Sequence, residues 1–138
     1  MAVVALTTTQ IAPVYPQNAE IYDGVAAEAI VAGEALYLTT TGFGVADANA
    51  AGKQQFRGIA LNSAGAGQAV SVLKRGHVYG YTVAALTADD PLYLSDTAGD
   101  LDTATGTLTV NTGRVVLLPD SSLTKVVYID ADWLRIWA

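Results

Sequence analysis

The sequence predicts an all-β fold: a single compact β-sandwich or barrel-like domain built from two pseudo-equivalent halves, with an extended N-terminal arm. Three observations carry that expectation. Residues 68–83, QAVSVLKRGHVYGYTV, alternate Val70 and Val72 with Ser71 and Leu73, and then Val78 with His77 and Tyr79, in the period-2 manner of half-buried strands. Two runs near the C-terminus, GRVVLL (113–118) and TKVVYIDA (124–131), are rich in β-branched residues and are set off by turn material such as SAGAGQ (63–68) and PDSSLT (119–124). Finally, the chain repeats itself. Shifted by 56 residues, Ala27–Thr41 lies on Val83–Thr97 with six identities in fifteen positions, among them Leu36/Leu92, Tyr37/Tyr93 and Leu38/Leu94.

Taken in order, residues 1–23 read as the arm. Pro13 and Pro16 push the residues before them to extended geometry and remove two backbone donors from any sheet. Ile11, Val14, Tyr15, Ile21 and Tyr22 make the arm too apolar for a tail that only floats in water. Ile11, Pro13, Val14, Tyr15, Pro16, Ile21 and Tyr22 are therefore the candidate contact residues toward a neighbouring molecule, with packing across the arm's own domain as the alternative.

Residues 24–138 form the β-domain, with the repeat at approximately 27–81 and 83–137. The Ala-rich stretch GVAAEAIVAGEA (24–35) suggests a helix, but its counterpart YTVAALTADDPL (81–92) holds β-branched residues and a proline, so both are expected to be extended. DANAAGKQQF (47–56) begins with a capping Asp and is expected to hold one or two helical turns. Downstream, the same ungapped shift places Ile59-Ala60-Leu61 on Val115-Val116-Leu117, Val70 on Val126, Leu73 on Ile129 and Val78 on Leu134. Residues 68–83 are expected to be two strands joined near Gly76. Tyr37 and Tyr93 are expected on the face opposite their flanking leucines. Two copies are too few for a solenoid, so the halves should close one shared core.

Composition bounds the rest. A chain of 138 residues, 51% hydrophobic and 14% charged, fits one folded domain. No apolar run approaches the ~18–20 residues that span a bilayer, and the first residues, MAVVALTTTQ, lack the positive n-region of an export signal. Assembly in a cytoplasm is the expectation. There is no Cys, so no disulfide or thiolate site contributes. The net charge of −6 argues against general affinity for nucleic-acid phosphates. The charges are also segregated. Residues 1–52 hold acids only, residues 53–88 hold Lys53, Arg57, Lys74 and Arg75 with no acid, and residues 89–102 hold five aspartates. Two readings are open: solvated loops, or complementary faces that meet between subunits.

Catalytic constellations are scarce. His77 is the single histidine, no G-x-S-x-G elbow occurs, and a surface or interface role is expected for it. GAGQ (65–68) completes no phosphate-loop pattern and reads as a turn. Asp96, Asp100 and Asp102 miss the spacing of an EF-hand and read as solvated loop acids. The Gly-Tyr-Asp and Ser-Arg-Ser-Gly type motifs of trimeric dUTP-hydrolysing enzymes are absent. Lys74 and Arg75 near Tyr79 and Tyr81 imitate a stacking platform for single strands, which the net charge opposes. No catalytic, cofactor or metal residue is assigned, and the chain is not expected to be an enzyme.

FRGIALNSAGAGQAVSVLKRGHVYGYTV (56–83), followed by DDPLYLSDTAGDLDT (89–103) and then by TGRVVLL and VVYI, resembles the small capsid decoration, or cement, proteins of tailed bacteriophages. PLYLSDTAG (91–99) is the most specific part, and Asp90-Pro91 stands where relatives often have Gly-Asp-Pro. The resemblance implies a non-enzymatic virion protein, a homotrimer on the outer surface of an icosahedral head. There it would hold the major capsid protein lattice together, with no cofactor, nucleic acid or membrane involved. The alternatives are a tail- or fibre-associated β-module of a virion and, third, a small trimeric β-fold enzyme.

Overall fold

The computed structural model describes residues 3–49, 51–118 and 122–137. The chain is all-β. Its strands are β1 (Ala12–Pro13), β2 (Glu20–Val25), β3 (Ala35–Thr39), β4 (Gly42–Val45), β5 (Phe56–Ala60), β6 (Ala69–Tyr79), β7 (Pro91–Leu94), β8 (Leu101–Asp102), β9 (Asn111–Leu117) and β10 (Lys125–Asp130). They form one sheet in the order β4-β3-β5-β6-β10-β9-β7-β8, curled into a half-barrel, with β1 and β2 both paired to β6. Read outward from the β6–β10 seam, each half repeats the same connectivity: β6-β5-β3-β4 on one side, β10-β9-β7-β8 on the other. The expected duplication is thus a pair of four-strand units.

The two expected strands of residues 68–83 are one strand. β6 runs without a break through Gly76, whose positive φ of 145 and close approach to Ala19 require glycine at that place in the strand. Its length lets it serve two sets of partners. Residues 69–75 pair with β2, and Val72 and Leu73 pair also with β5. Residues 75–78 pair with β10, and Val78 and Tyr79 pair also with β1.

The repeat is not ungapped. In β3–β5 the pairing shifts between Leu36 and Tyr37, with Gly58 opposite Leu36, and in β7–β9 it shifts between Leu92 and Tyr93, with Gly113 opposite Leu92. Gly58 and Gly113, 55 residues apart, are therefore equivalent in the ladder, one residue short of the shift that relates Leu36 to Leu92. A Cβ on Gly58 would run into the carbonyl oxygen of Leu73, and a Cβ on Gly113 into that of Tyr128. Only glycine lets the neighbouring strand pass there.

Leu36 and Leu92 hold the same place in the two ladders, each opposite its glycine, but they are buried in different clusters. Leu36 lies in a smaller cluster with Phe43, Val70 and Val72, while Tyr37 packs against the main core. Leu92 and Leu94 lie in the main core with Phe56, Ile59, Leu73, Val115, Val127 and Ile129. The same letters are used on opposite faces.

The N-terminal arm lies along this body. Val4 and Ile11 are buried in the main core. The amides of Thr7 and Val14 donate to the carbonyls of Gly80 and His77 at 2.8 and 2.9 Å. Two short 3-10 turns, Thr8–Gln10 and Pro16–Asn18, carry it around, and β2 runs through the boundary expected at residue 23. GVAAEAIVAGEA is not helix, but neither is it continuously extended: after the end of β2 it makes isolated bridges at Ala26 and Ile30 around a bend at 27–28 and then a turn at 32–33, and its counterpart 81–92 holds turns at 84–85 and 88–89. Residues 47–49 and 51–55 are bends and turns, so the helical turns expected after Asp47 do not form there. The Asp47 carboxylate accepts instead from the amide of Asn49, a local turn that competes with helix. The turn at 119–124 lies partly outside the described residues. GAGQ is a turn, closed by the Gln68 amide donating to the Gly65 carbonyl.

Candidate interaction surface

The motif that carries the resemblance folds into a joint between the halves. β7 supplies Pro91–Leu94, and the chain then turns through Asp96–Gly99 into β8. The Ser95 hydroxyl accepts from the amide of Thr97 at 3.0 Å and donates to buried Asp102 at 3.3 Å. Asp96 accepts from the amide and the hydroxyl of Thr107 at 2.7 and 2.9 Å. Gly99 donates to the carbonyl of Ala46 and accepts from the amide of Ala35, both in the first half. Asp102 is thus a buried acid whose oxygens hold Ser95 and Ala104, and Asp96 is a half-buried loop acid that ties the turn to Thr107. Beside it, burial and then the charge of Asp102 raise the pKa of Asp100, and burial, opposed by the Val31 amide and reinforced by Asp100 and Glu28, raises that of Glu34. Among the described residues, no group of three or more His, Cys, Asp or Glu side chains could hold a metal ion.

The expected contact residues divide into two sets. Ile11 is core, and Pro13 sits in β1 against Val78. Val14 is tied to His77 through its amide, and Tyr15 and Pro16 lead into the 3-10 turn over the outer face of β6. Pro16 in that turn and Ile21 and Tyr22 on β2 are the exposed members.

On that outer face His77 lies between two rings, Tyr15 at 5.4 Å and Tyr128 at 5.1 Å, both edge-on. Desolvation lowers its pKa, and no carboxylate contacts it. It is an aromatic packing residue between the arm and the seam. One step along the seam Arg75 donates to Asp130 at 2.7 Å and to Glu20 at 3.1 Å, and Lys74 lies 3.4 Å from Glu20. Two of the four bases expected to face acids of another subunit are thus paired within the chain. The stacking platform does not form either, because Tyr81 is buried with its hydroxyl donating to Gly33.

The C-terminal segment makes a second exposed feature. The Trp133 indole donates to the carbonyl of Arg57 at 2.8 Å, and Arg57 donates back to the carbonyl of Trp133 at 3.0 Å. Lys74 stands over the Trp133 ring at 4.7 Å, with Tyr22 beside it at 4.8 Å. Trp137 is buried and held by Gln54 and Gln55. Between these anchors Leu134 is 95% and Ile136 85% exposed. Together with Ile21 and Tyr22 they are apolar side chains presented on a fixed backbone, a composition suited to contact with another protein. Sequence reasoning passed over Trp133 and Ile136, and it placed Leu134 on Val78 of the first copy, whereas Val78 is buried in β6 and Leu134 is exposed outside any strand. The available signal was a W-x-x-x-W spacing with aliphatics between.

Comparison with known protein families, curated proteins and solved structures returned no match to this chain.

Proposed function

We propose that this protein is a capsid decoration protein of a tailed bacteriophage, a trimer that binds the outside of an icosahedral head and stabilises its lattice. One observation supports this reading above others: the stretch that resembles that family, Pro91–Gly99, forms a structural joint whose polar groups are engaged in the turn. What distinguishes the sequence is then the scaffold, and function falls to the surfaces it presents. A trimer offering three identical surfaces to a three-fold set of sites gains effective concentration for its second and third contacts. Binding the assembled lattice and not its free subunits favours the lattice by mass action.

The test is co-sedimentation of the protein with undecorated heads, followed by electron microscopy of the particles. Density on the outer shell at three-fold positions is expected. Protein found only on tails, or no co-sedimentation, overturns the proposal. Because Val4 and Ile11 are core residues, deleting the arm would damage the fold, so contact is tested with Ile21→Ser and Tyr22→Ser.

A further inference from the structure

We propose that the depression between the Pro16–Asn18 turn and the outer face of the β6–β10 seam is a binding site for a neutral saccharide. It has a volume of about 510 Å³ and is lined by Tyr15, Gln17, Asn18, His77 and Tyr128. His77 and Tyr128 are direct partners across the seam, and the arm delivers the other three through one turn.

The lining fits one kind of ligand. A pyranose has a C–H face that packs on an aromatic ring and a rim of hydroxyls that each donate and accept. Tyr15 and Tyr128 supply rings, and the planar amides of Gln17 and Asn18 supply paired donors and acceptors. Neither amide, neither tyrosine hydroxyl nor the imidazole makes a hydrogen bond within the protein among the described residues. None of the five side chains is a Lys, Arg, Asp or Glu, so a phosphate or carboxylate would find no counter-charge. Desolvation lowers the pKa of His77 from its ordinary value, which favours the neutral ring with one donor and one acceptor.

The site is also pre-formed. Pro16 opens the turn, the amide of Asn18 donates to Tyr15 at 2.9 Å and that of Ala19 to Pro16 at 3.3 Å. Fixing these groups before binding lowers the entropy lost on association. The neighbouring depression, which shares Tyr128, is different in kind. It holds Arg75, Arg114, Asp130 and Arg135, and its guanidinium groups are engaged by Asp130, the Asp89 carbonyl and the Trp137 ring.

The experiment uses the full chain with a panel of methyl glucoside, methyl galactoside, N-acetylglucosamine, maltotriose, lactose and sialyllactose, read by saturation-transfer NMR and calorimetry. At least one neutral sugar is expected to bind saturably with Kd of about 0.1–10 mM, as suits an open site of a few contacts. Gln17→Ala and Tyr128→Ala should each weaken it about tenfold or more, the loss of one well-placed contact. Gln17 is exposed, so that variant keeps the fold, and Arg114→Ala should leave affinity unchanged. Absence of saturable binding across the panel, binding that survives Gln17→Ala with Asn18→Ala, or binding of sialyllactose alone in an Arg114-dependent manner would each overturn the proposal.

Discussion

Arg75 and Asp130 face each other as direct partners across the seam between β6 and β10, with Nε donating to the carboxylate at 2.7 Å. On its other side Arg75 reaches Glu20 in β2 at 3.1 Å. The three residues stand 55 positions apart, on β2, which pairs with β6 outside the two four-strand units, on β6 itself, and at the end of β10. One charge relay thus runs across three strands. Such exposed pairs contribute little to stability in ordinary salt, and their signature is pH dependence.

The hydrogen bond from Arg75 lowers the Glu20 pKa below its ordinary value of 4.5. A lowered carboxylate contributes stability that is present above its unfolded pKa and is lost as pH falls through the folded value. Urea unfolding at pH 7, 5 and 3 should therefore show a loss of stability below pH 4.5 that is smaller in Arg75→Ala. An identical acid profile in the variant would show the relay to be inert.

Glu34 acts in the opposite direction. Its pKa is raised chiefly by burial, with Asp100 and Glu28 adding repulsion, while its carboxylate accepts from the Val31 amide at 2.7 Å. A raised carboxylate costs stability above its folded pKa, and the cost fades as pH falls through that value. Glu34→Gln keeps an acceptor for Val31 and should stabilise the protein at pH 7 by under about 1 kcal/mol, allowing for solvent screening. The gain should vanish near pH 4, and a variant less stable than wild type at pH 7 would contradict this.

The equivalence of Gly58 and Gly113 is testable in the same way. Each faces a carbonyl of the adjacent strand where a Cβ has no room, so Gly58→Ala and Gly113→Ala should each destabilise by about 1–3 kcal/mol, the usual cost of overpacking. Gly65→Ala, which would meet only the flexible Gln68 side chain, should stay within about 0.5 kcal/mol of wild type. Similar values for all three would mean that the strands tolerate the extra methyl.

The sequence made the strands, the duplication and the turn at GAGQ legible because alternation and glycine placement are local signals. It did not show the slip between Leu36/Leu92 and Gly58/Gly113, because matching letters report composition and not hydrogen-bond register. Nor did it show that Gly76 lies within a continuous strand, since a glycine between two alternating runs reads as a turn until its partners are known. The arm was recognised by its prolines and apolar residues, yet the burial of Ile11 against exposed Tyr22 depends on where β6 lies. The aromatic amide depression joins residues 15–18 to 77 and 128, a juxtaposition that only the fold creates.

Trp133 pins the C-terminal segment through a reciprocal pair of hydrogen bonds with Arg57. Trp133→Phe keeps most of the ring contact with Tyr22 and Lys74 but removes the indole donor, at a cost of about 0.5–1.5 kcal/mol. Trp133→Ala should cost more and release the segment, read as faster amide exchange at residues 131–137 with β9 unchanged. Unchanged exchange in the alanine variant would show that Trp137 alone holds it.

Leu134 and Ile136 sit between those anchors at 95% and 85% exposure, so removing them costs the isolated fold almost nothing. Leu134→Ser with Ile136→Ser should leave unfolding stability within about 0.5 kcal/mol per site. If they meet a neighbouring copy or a capsid surface, covering both contributes about 3–6 kcal/mol of apolar burial before association costs. The double variant should then weaken head binding, or shift self-association in sedimentation velocity, by about tenfold or more, since 1.4 kcal/mol is already a factor of ten. The comparison that gives this meaning is Ile21→Ser with Tyr22→Ser, on the exposed strand β2. Loss of binding in the tail variant alone places the contact at residues 134–136, loss in the β2 variant alone places it on the arm, and full binding in both removes these two surfaces from the interface.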